Sequence, residues 1–452
     1  MAQKQVDDAV VRYQKILESP AFADLAWAQD LESAMRQRGM VAGTRIASPF
    51  LRPHFVLQKH FDQSAKLSAA LFSAIERLEK LALETPAILQ RLDLLPAERM
   101  LASINPGYSF PHVGCSFQFP QATQANFTNG FQPVSTAGIA YSEHLADLFF
   151  DCPPLKEFRK KHKLAKSSGL KALLSATTKA WKAYGGKKQP NLAILEFRQP
   201  FQSLDAAEAG VLAELYRSSG WKAELVSPEQ LDYRQGVLRK GDFAIDMVLR
   251  ASSLHDFLLR FDLNHPLVRA YRDQKVCIVN SFRAELAQKK TVWALLTDDT
   301  ITTKFPAAEK KAIAACVPWT RTLAPGRTDF EGQTVDLLEY VAQHRERFVL
   351  APNDTTANLP NYDGRELEQA PWDRAMKQGL RERYVVQLRQ DFIPAKFPVS
   401  FYGALEYRDL LVEERLHLFL GEPQMISTYL SSGQGGFSTM EGFTPTFVLA
   451  SK

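Results

Sequence analysis

At 452 residues the chain is too long for one ordinary domain, so two or three domains are expected. Hydrophobic residues make up 45% of it, which excludes global disorder, and a net charge of +5 is too small at this length to imply a nucleic-acid partner. The four cysteines form no CxxC pair, so a thiolate zinc site is not expected. Neither a signal-peptide pattern nor a bilayer-spanning apolar run is evident, which predicts a cytoplasmic protein without a transmembrane segment.

The first part of the chain, residues 1–188, is predicted to be mainly helical. Its segment SAKLSAALFSAIERLEKLALE repeats apolar residues at helical spacing. Between Lys156 and Lys188 the chain carries eleven Lys or Arg residues and one acidic residue, Glu157. This basic segment suits either a solvated helix and linker between two domains or a surface that binds an anionic membrane, RNA or acidic protein.

Residues 189–300 have a different pattern, in which short apolar segments alternate with helical ones. The segments NLAILEF, KAELVSP, FAIDMVLR and KVCIVNS are strand candidates. Their alternation with helices predicts βαβ units and a mainly parallel sheet. Ligands of such sheets bind beyond the carboxyl ends of the strands, where Glu196, Arg250 and Asn280 lie.

Residues 301–452 form a third region, which contains the buried strand and polar loop FVLAPNDTTANLPNYDG. The segment LEYRDLLVEERLHLFLG is predicted to form two strands or a strand and a helix. The sequence contains no P-loop, no GxGxxG after a strand and no GxSxG nucleophile elbow. His54 and His60 lack HExxH spacing, so no metal ligands are predicted.

Taken in order, these segments resemble the circularly permuted ATP-grasp family, which includes glutathionylspermidine-synthase-like proteins. The likeness runs from about Ser48 to the end and rests on AGIAYSEHLADLF, KAELVSPEQLDYRQGVLRKGDFAIDMVLR, KVCIVNSFRAELAQKKTVWALLTD, VPWTRTL, ERFVLAPND, YVVQLRQ and GGFSTMEGFTPTFVL. It implies a permuted ATP-grasp fold of the α/β (α+β) class. The helical region 1–188 would carry the permuted core segment and the basic linker, 189–300 a central α/β domain, and 301–452 the α+β grasp domain.

The resemblance also implies a chemistry. Active members join a carboxylate to an amine or thiol through an acyl phosphate made from ATP, and both cationic side chains and Mg²⁺ neutralise the phosphates. The matching nucleotide-binding candidates in this sequence are Lys290, Asn353, Asp354, Gln387, Asn280 and Arg250. Lys289 is an alternative to Lys290 as the phosphate-binding lysine.

Five positions depart from the family pattern. Ala351 stands where the second phosphate-binding Lys is expected, Gly130 and Gln132 where the metal-binding Glu and Asn are expected, Leu388 at the hinge Glu and Leu430 at the C-terminal Arg. One preorganised contact to a transition state is worth about 3 kcal/mol, so four lost contacts would sum to roughly 10 kcal/mol, a rate factor on the order of ten million. Degenerate motifs of this kind are typical of a pseudoenzyme.

The leading hypothesis is therefore a non-catalytic binding or partner subunit that works with a protein of the same pathway, and the binding of ATP and Mg²⁺ stays open. The alternative is an active ATP-dependent carboxylate–amine ligase whose metal and phosphate ligands have moved. Candidates for relocated ligands, which are otherwise surface charges, are Glu413, Glu414, Glu441, Arg408 and Arg415. A weaker third hypothesis is binding to an anionic surface through Lys156–Lys188.

Overall fold

The structure is a computed structural model of mixed α/β class. The residues it describes are 2–42, 45–122, 126–133, 138–197, 204–250, 253–356, 359–433 and 440–450. Parts of the loop after FVLAP (357–358) and of the C-terminal Gly-rich segment (434–439) therefore lie outside the described residues. Within the described residues, no helix is both long and apolar enough to cross a bilayer.

Helices predominate in the first 188 residues. The elements are α1 (Ala2–Leu17), α2 (Ala26–Gln37), β1 (Val41–Ala42), β2 (Arg45–Ile46), β3 (His54–Leu57), α3 (Gln58–Glu84), α4 (Pro86–Arg91), α5 (Pro96–Ser103), β4 (Gly114–Pro120), β5 (Gly130–Gln132), α6 (Ile139–Asp151), α7 (Pro153–Arg159), β6 (Leu164–Lys166) and α8 (Leu170–Ala183). Helix α3 buries Leu71, Ile75, Leu78 and Ala82, which recur at the three- and four-residue spacing of one helix face. Helices α4, α5 and α7 each begin at a proline, whose fixed φ suits the first helical position.

The basic segment Lys156–Lys188 is built into this fold. It covers the end of α7, then β6, which pairs with the last strand of the chain, and α8. Leu173, Ala176 and Ala180 of α8 are buried, while the lysines of the segment are exposed. The segment is therefore a packed part of the structure with a solvated basic face, which includes the expected solvated helix; its role as a linker between two domains stays a prediction.

The middle of the chain forms the predicted parallel sheet. Its elements are β7 (Asn191–Leu195), α9 (Leu204–Ser218), β8 (Lys222–Val226), β9 (Asp232–Arg234), β10 (Val237–Lys240), β11 (Phe243–Ile245), β12 (Met247–Arg250), α10 (Leu254–Arg260), α11 (Pro266–Arg272), β13 (Cys277–Val279), a 3₁₀ helix (Phe282–Ala287) and α12 (Thr291–Leu296). The strands pair in parallel in the order β13-β12-β7-β8. Leu192 and Ile194 pack on the side of α8 and α9, and Ala193 and Leu195 on the side of α10 and α11. The antiparallel sheet β11-β10-β9 inserted before β12 was not expected.

Strands predominate in the rest of the chain. Its elements are α13 (Asp299–Thr302), α14 (Ala307–Cys316), β14 (Thr320–Thr322), β15 (Arg327–Phe330), β16 (Gln333–Asp336), α15 (Leu337–Gln343), β17 (Phe348–Pro352), β18 (Tyr362–Asp363), α16 (Gln369–Glu382), β19 (Tyr384–Leu388), β20 (Ala395–Phe401), β21 (Ala404–Phe419), β22 (Glu422–Ser431), β23 (Glu441–Thr444) and β24 (Thr446–Leu449). The predicted strand FVLAP is β17, in a sheet of order β14-β19-β17-β18. The segment LEYRDLLVEERLHLFLG lies almost wholly in the single strand β21, so its predicted division into two elements is wrong.

Two sheets join strands that are far apart in the sequence. Strands β4 and β5 pair with the C-terminal strands in the order β23-β22-β21-β4-β5, and β20 also pairs with β21. The last strand, β24, lies between β3 and β6. The N-terminal region and the C-terminal strands therefore share their hydrogen-bond networks.

Four hairpins close through the same kind of turn. The turn pairs are Gln235–Gly236, Glu331–Gly332, Tyr402–Gly403 and Leu420–Gly421, and both residues of each pair have positive φ. Positive φ at both central residues is the property of the type I′ turn, whose twist matches that of the flanking strands. Glycine at the second position adopts this conformation without steric penalty.

Candidate functional site

One side of the five-strand run β23-β22-β21-β4-β5 carries a line of polar side chains, which we call the polar face. Alternation along the strands places Gln118 of β4, Glu413 and Arg415 of β21, Tyr429 of β22 and Glu441 of β23 on this side. These five residues define the polar face. The two predicted metal positions on β5, Gly130 and Gln132, lie on the same side of the sheet, opposite Gln118 and Ser116 of β4.

The polar face is held together by contacts between its own side chains. Gln118 Nε2 donates to Glu413 Oε1 at 3.3 Å, and Arg415 Nε donates to the same oxygen at 2.8 Å. The Arg415 guanidinium lies 4.6 Å from the centre of the Tyr429 ring, and the Tyr429 hydroxyl donates to Glu441 Oε2 at 2.8 Å. The charges of Glu413 and Arg415 therefore neutralise each other inside the face.

Gly130 and Gln132, where the resemblance implies metal ligands, provide no carboxylate. Gly130 pairs with Gln118 across the sheet, and a Cβ at position 130 would lie 2.9 Å from Gln118 Oε1. The amide of Gln118 thus fills the space that a longer side chain at position 130 would need. Gln132 lies opposite Ser116, which adds a hydroxyl but no charge.

The residues of this site do not fit Mg²⁺. The hard Mg²⁺ ion is held by carboxylate oxygens, and here the Glu413 carboxylate already accepts from Arg415 and Gln118. No group of three or more His, Cys, Asp or Glu side chains that could hold a metal ion occurs among the described residues. Binding of Mg²⁺ at Glu413 would first require the Arg415 guanidinium to leave.

Lys289 and Asp354, two of the candidate phosphate-site residues, bind each other. Lys289 is buried, and its Nζ lies 2.6 Å from Asp354 Oδ2 and 2.7 Å from Glu98 Oε1. Burial alone would lower the pKa of Lys289, but the two carboxylates outweigh it and raise the pKa. Burial likewise opposes ionisation of Asp354, whereas Lys289 and Thr356 hold its pKa below the usual range. The charges of Lys289 and Asp354 are therefore compensated by ion pairs inside the protein.

Lys290 has a different environment. Its Nζ donates to the carbonyl oxygen of Asn129 at 3.2 Å, next to Gly130 at the edge of the polar face. The side chain is half-buried and contacts no carboxylate among the described residues, and desolvation lowers its pKa to about 8. Of the two neighbouring lysines, Lys290 is the one whose ammonium group remains available to an anion.

Two of the three candidate amides, Asn353 and Gln387, are occupied by structural hydrogen bonds. Asn353 Oδ1 accepts from the Thr291 backbone N at 2.9 Å, and its Nδ2 donates to the Leu92 carbonyl at 3.2 Å. Gln387 Nε2 donates to Thr320 Oγ1 at 3.0 Å and so links β19 to β14. Each amide is buried and joins elements that are distant in the sequence.

Arg250 and Asn280, at the carboxyl ends of the parallel strands, are also satisfied internally. Arg250 Nη1 donates to Glu285 Oε1 at 2.6 Å, and the pair is almost fully buried. Asn280 Oδ1 accepts from the backbone N of Val113 at 2.7 Å, and its Nδ2 donates to the Gly114 carbonyl at 2.6 Å. These contacts tie the parallel sheet to the segment that leads into β4.

The three apolar replacements belong to packed cores. Ala351 is buried on β17 opposite Val385, and Leu388 packs at the end of β19 opposite Phe348. Leu430 is fully buried in a cluster that includes Phe397. A charged side chain at any of these positions would lose its hydration, which makes restoring the family residue unfavourable without other changes.

Three of the five proposed relocated ligands, Glu413, Arg415 and Glu441, lie together on the polar face, whereas Glu414 and Arg408 do not. Glu414 lies on the opposite side of β21 from Glu413, where its carboxylate oxygens meet His54 Nε2 at 2.9 Å and His60 Nε2 at 3.0 Å. Burial raises the pKa of Glu414, but these two hydrogen bonds outweigh burial and hold the pKa well below its usual range. Arg408 pairs with Glu406 at 2.6 Å, and Glu441 contacts Arg45 at 3.4 Å.

Sequence reasoning missed Gln118, Asn129 and Glu98. The alternation of polar and apolar residues in GCSFQFP was a signal that Ser116 and Gln118 share one face of a strand. No comparable signal exists for Glu98 and Asn129, because their contacts with Lys289 and Lys290 come from distant parts of the chain.

Comparison with known proteins identifies the fold. No family model and no curated protein match the chain. It is similar to the structure of a glutathione synthetase-like effector from Globodera pallida, with 11% identity, coverage of 96% of this chain and 99% of that one, and a TM-score of 0.58. Weaker likenesses are to a gamma-glutamylcysteine synthetase-like protein from Methylobacillus flagellatus KT (12% identity, 85% and 86% coverage, TM-score 0.43) and a RimK domain ATP-grasp protein from Sphaerobacter thermophilus (15%, 56% and 89%, 0.29). The first similarity shows that the chain shares the fold of that glutathione synthetase-like effector.

Proposed function

We propose that this chain is a non-catalytic protein of the ATP-grasp-like ligase fold, which acts as a binding or partner subunit. The observation that carries the proposal is the internal pairing of the polar face. Glu413 is neutralised by Arg415 and bonded by Gln118, directly beside Gly130, where a metal-binding carboxylate is expected. A ligase needs these groups free for Mg²⁺ and phosphate.

The cationic side of the site supports the same proposal. One expected lysine position is the buried Ala351, and Lys289 is fixed between Glu98 and Asp354. Transfer of a phosphoryl group depends on cations that are placed before the charge develops. Only Lys290 among these three positions offers an ammonium group without a carboxylate contact, and one cation replaces a small part of what the family chemistry requires.

The alternative is an ATP-dependent carboxylate–amine ligase with relocated ligands. The observation in its favour is Lys290 itself, whose ammonium lies at the edge of the polar face and has a lowered pKa. An anion that binds there would stabilise the ammonium form and raise the pKa of Lys290 again. In this alternative ATP and Mg²⁺ are the cofactors.

Thermal unfolding with and without Mg²⁺-ATP separates the two functions. A ligand at one hundred times its dissociation constant stabilises the folded state by about 2.7 kcal/mol. We expect no change in Tm at millimolar Mg²⁺-ATP, because the metal and phosphate positions are internally paired. A Tm increase that Lys290→Ala abolishes and the exposed control Lys304→Ala retains would contradict the proposal and support the ligase.

Several finer parts of the proposal rest on the resemblance. Circular permutation is supported by the pairing of β4 with β21 and of β3 with β24. The division into regions 1–188, 189–300 and 301–452, the cytoplasmic location and the pathway partner remain predictions. Binding of an anionic surface by Lys156–Lys188 also remains a prediction.

Salt-sensitive binding to anionic vesicles tests the prediction for Lys156–Lys188. Binding that survives replacement of the exposed lysines would reject it.

A further inference from the structure

Asn129 and Gly130 form the only Asn-Gly pair in the sequence, and Gly130 begins β5 beside the polar face. In such a pair the backbone nitrogen of the glycine can attack the side-chain carbonyl carbon of the asparagine, which closes a succinimide ring and releases ammonia. Glycine favours this reaction because it has no Cβ to hinder the approach and because its backbone adopts unusual angles freely. The pair is therefore a chemically reactive point of the chain.

The side chain of Asn129 is available for this reaction. Asn129 is exposed, and among the described residues it makes hydrogen bonds through its backbone alone. Its backbone N donates to the Gln118 carbonyl at 2.8 Å, so the main chain is held while the side chain is not. Water can therefore reach the side chain, and the side chain can turn towards the Gly130 nitrogen.

Lys290 contacts the peptide group that would react. Its Nζ donates to the Asn129 carbonyl oxygen at 3.2 Å, and it contacts no carboxylate among the described residues. When the Gly130 nitrogen loses its proton, the negative charge of this peptide group is shared with the same carbonyl oxygen. A cation bonded to that oxygen stabilises the charge as it develops. Lys290 thus lies where ring closure benefits from a cation.

The same contact favours one of the two products of the ring. Water can open a succinimide at the former side-chain carbonyl, which gives aspartate, or at the main-chain carbonyl, which gives isoaspartate. The hydrogen bond from Lys290 draws electrons from the main-chain carbonyl and makes its carbon the better target for water. In isoaspartate this carbonyl becomes a free carboxylate, which remains beside the Lys290 ammonium and forms a charge-assisted hydrogen bond with it.

We propose that Asn129 converts to isoaspartate in the folded protein and that Lys290 assists the conversion through its contact with the Asn129 carbonyl. Overall, the side-chain nitrogen leaves as ammonia and one water molecule is consumed, so no oxidant or second protein is required. The new carboxylate lies next to Gly130 and neutralises Lys290, the ammonium that an external anion would otherwise meet. The conversion therefore closes this cationic position to external anions permanently.

The single Asp-Gly pair of the sequence, Asp363–Gly364, provides an internal comparison. Asp-Gly pairs can form the same ring, but here both reacting groups are engaged. The Gly364 N donates to the Phe348 carbonyl at 3.0 Å, and the Asp363 carboxylate accepts from Arg389 Nε at 2.7 Å and 2.9 Å. We expect no isoaspartate at position 363 under conditions that convert Asn129.

Peptide mapping by mass spectrometry, during incubation of the folded full-length chain at neutral pH, tests the proposal. Lys290→Ala removes the cation, Lys290→Arg retains one, and Lys304→Ala is a control at an exposed lysine elsewhere. Asn129→Gln confirms the assignment of the modified peptide, because glutamine must form a larger ring and reacts far more slowly. We expect Lys290→Ala to slow the conversion about fivefold, the effect of one charge contact near water, and to lower the fraction of isoaspartate. Lys290→Arg and Lys304→Ala should react like wild type.

The outcomes separate the site from the assistance. Conversion at position 129 in the urea-unfolded chain but not in the folded wild type would overturn the proposal. A Lys290→Ala variant that keeps both the wild-type rate and the wild-type ratio of isoaspartate to aspartate would overturn the role of Lys290. If circular dichroism shows that Lys290→Ala is unfolded, Lys290→Gln decides, because it retains a hydrogen-bond donor without the charge, and a wild-type rate there would equally contradict the proposal. None of these results depends on whether the chain binds ATP or is a ligase.

Discussion

At the scale of single residues, the contrast between Lys289 and Lys290 is the most informative. The two side chains are identical and adjacent, and the sequence around them does not say which one meets an anion. The two lysines differ because Lys289 is ion-paired with Glu98, which is 191 positions away, and with Asp354. A long-range ion pair of this kind cannot be predicted from local sequence patterns. The absence of a lysine at Ala351, by contrast, could be identified from the sequence alone.

The two lysines should differ strongly in their effect on stability. Lys289→Ala leaves two carboxylates without their cation in a buried place, and we expect a loss of about 3–5 kcal/mol in the free energy of unfolding. Lys290→Ala is the matched control, and we expect less than about 1 kcal/mol because it removes one hydrogen bond of a half-buried group. Urea denaturation of both variants measures the difference. Equal losses would show that Lys289 does not support the fold as described.

At the scale of elements, strand β21 explains where prediction from periodicity fails. Leu410, Val412, Leu416 and Leu418 lie on one side of it, which is ordinary strand alternation, but Glu414 interrupts this series. The structure tolerates the charge because two histidines bond it. The parallel sheet of 189–300, by contrast, has mostly apolar strands, with charged residues mainly in the edge strand β8, and was predictable from its alternation with helices.

The repeated X–Gly turns lead to a prediction for the β9–β10 hairpin. Gly236 has a φ of 75°, and a Cβ there would meet nothing closer than Lys275 Cε at 3.8 Å, so Gly236→Ala tests backbone strain alone. We expect destabilisation by about 1–2 kcal/mol. Gln235→Asn in the same turn should stabilise the protein by about 0.5 kcal/mol, because Asn adopts positive φ more readily. Thermal denaturation of both variants checks the opposite signs, and a neutral Gly236→Ala would argue against a type I′ turn.

At the scale of the whole molecule, the sheets that unite distant strands were accessible only through the family resemblance. Periodicity identifies a strand but not its partner, and the partners of β3 and β4 lie near the other end of the chain. The same limit applies to the polar face. Each missing ligand could be identified from the sequence alone, while the contact of Gln118 with Glu413, 295 positions apart, depends on how the strands align.

The cluster of Glu414 with its histidines should give the molecule a defined dependence of stability on pH. The pKa of Glu414 is lowered, so its contribution is present above the ordinary value of 4.5 and is lost as the pH falls. The hydrogen bond that His60 Nε2 donates to Glu414 raises the pKa of His60, so that contribution is complete below 6.5 and is lost as the pH rises through the higher folded value.

We therefore expect His60→Ala to reduce the difference in unfolding free energy between pH 6 and pH 8. His344→Ala serves as the control, since this histidine contacts no carboxylate among the described residues. Chemical denaturation at both pH values measures the effect. A His60→Ala variant with the same pH dependence as wild type would show that the contact with Glu414 does not contribute.

The parallel pairing of β3 with β24 has a consequence for biosynthesis. His54 and Thr446 are partners in this sheet although roughly 400 residues separate them. At the usual elongation rate a ribosome needs roughly 20–80 s to make that length of chain. During this time the apolar β3 is already outside the ribosome without its neighbour, and a nascent chain that is released early never receives it. Protection of β3 by a chaperone during translation would thus matter more for this protein than for one whose sheets form between consecutive strands.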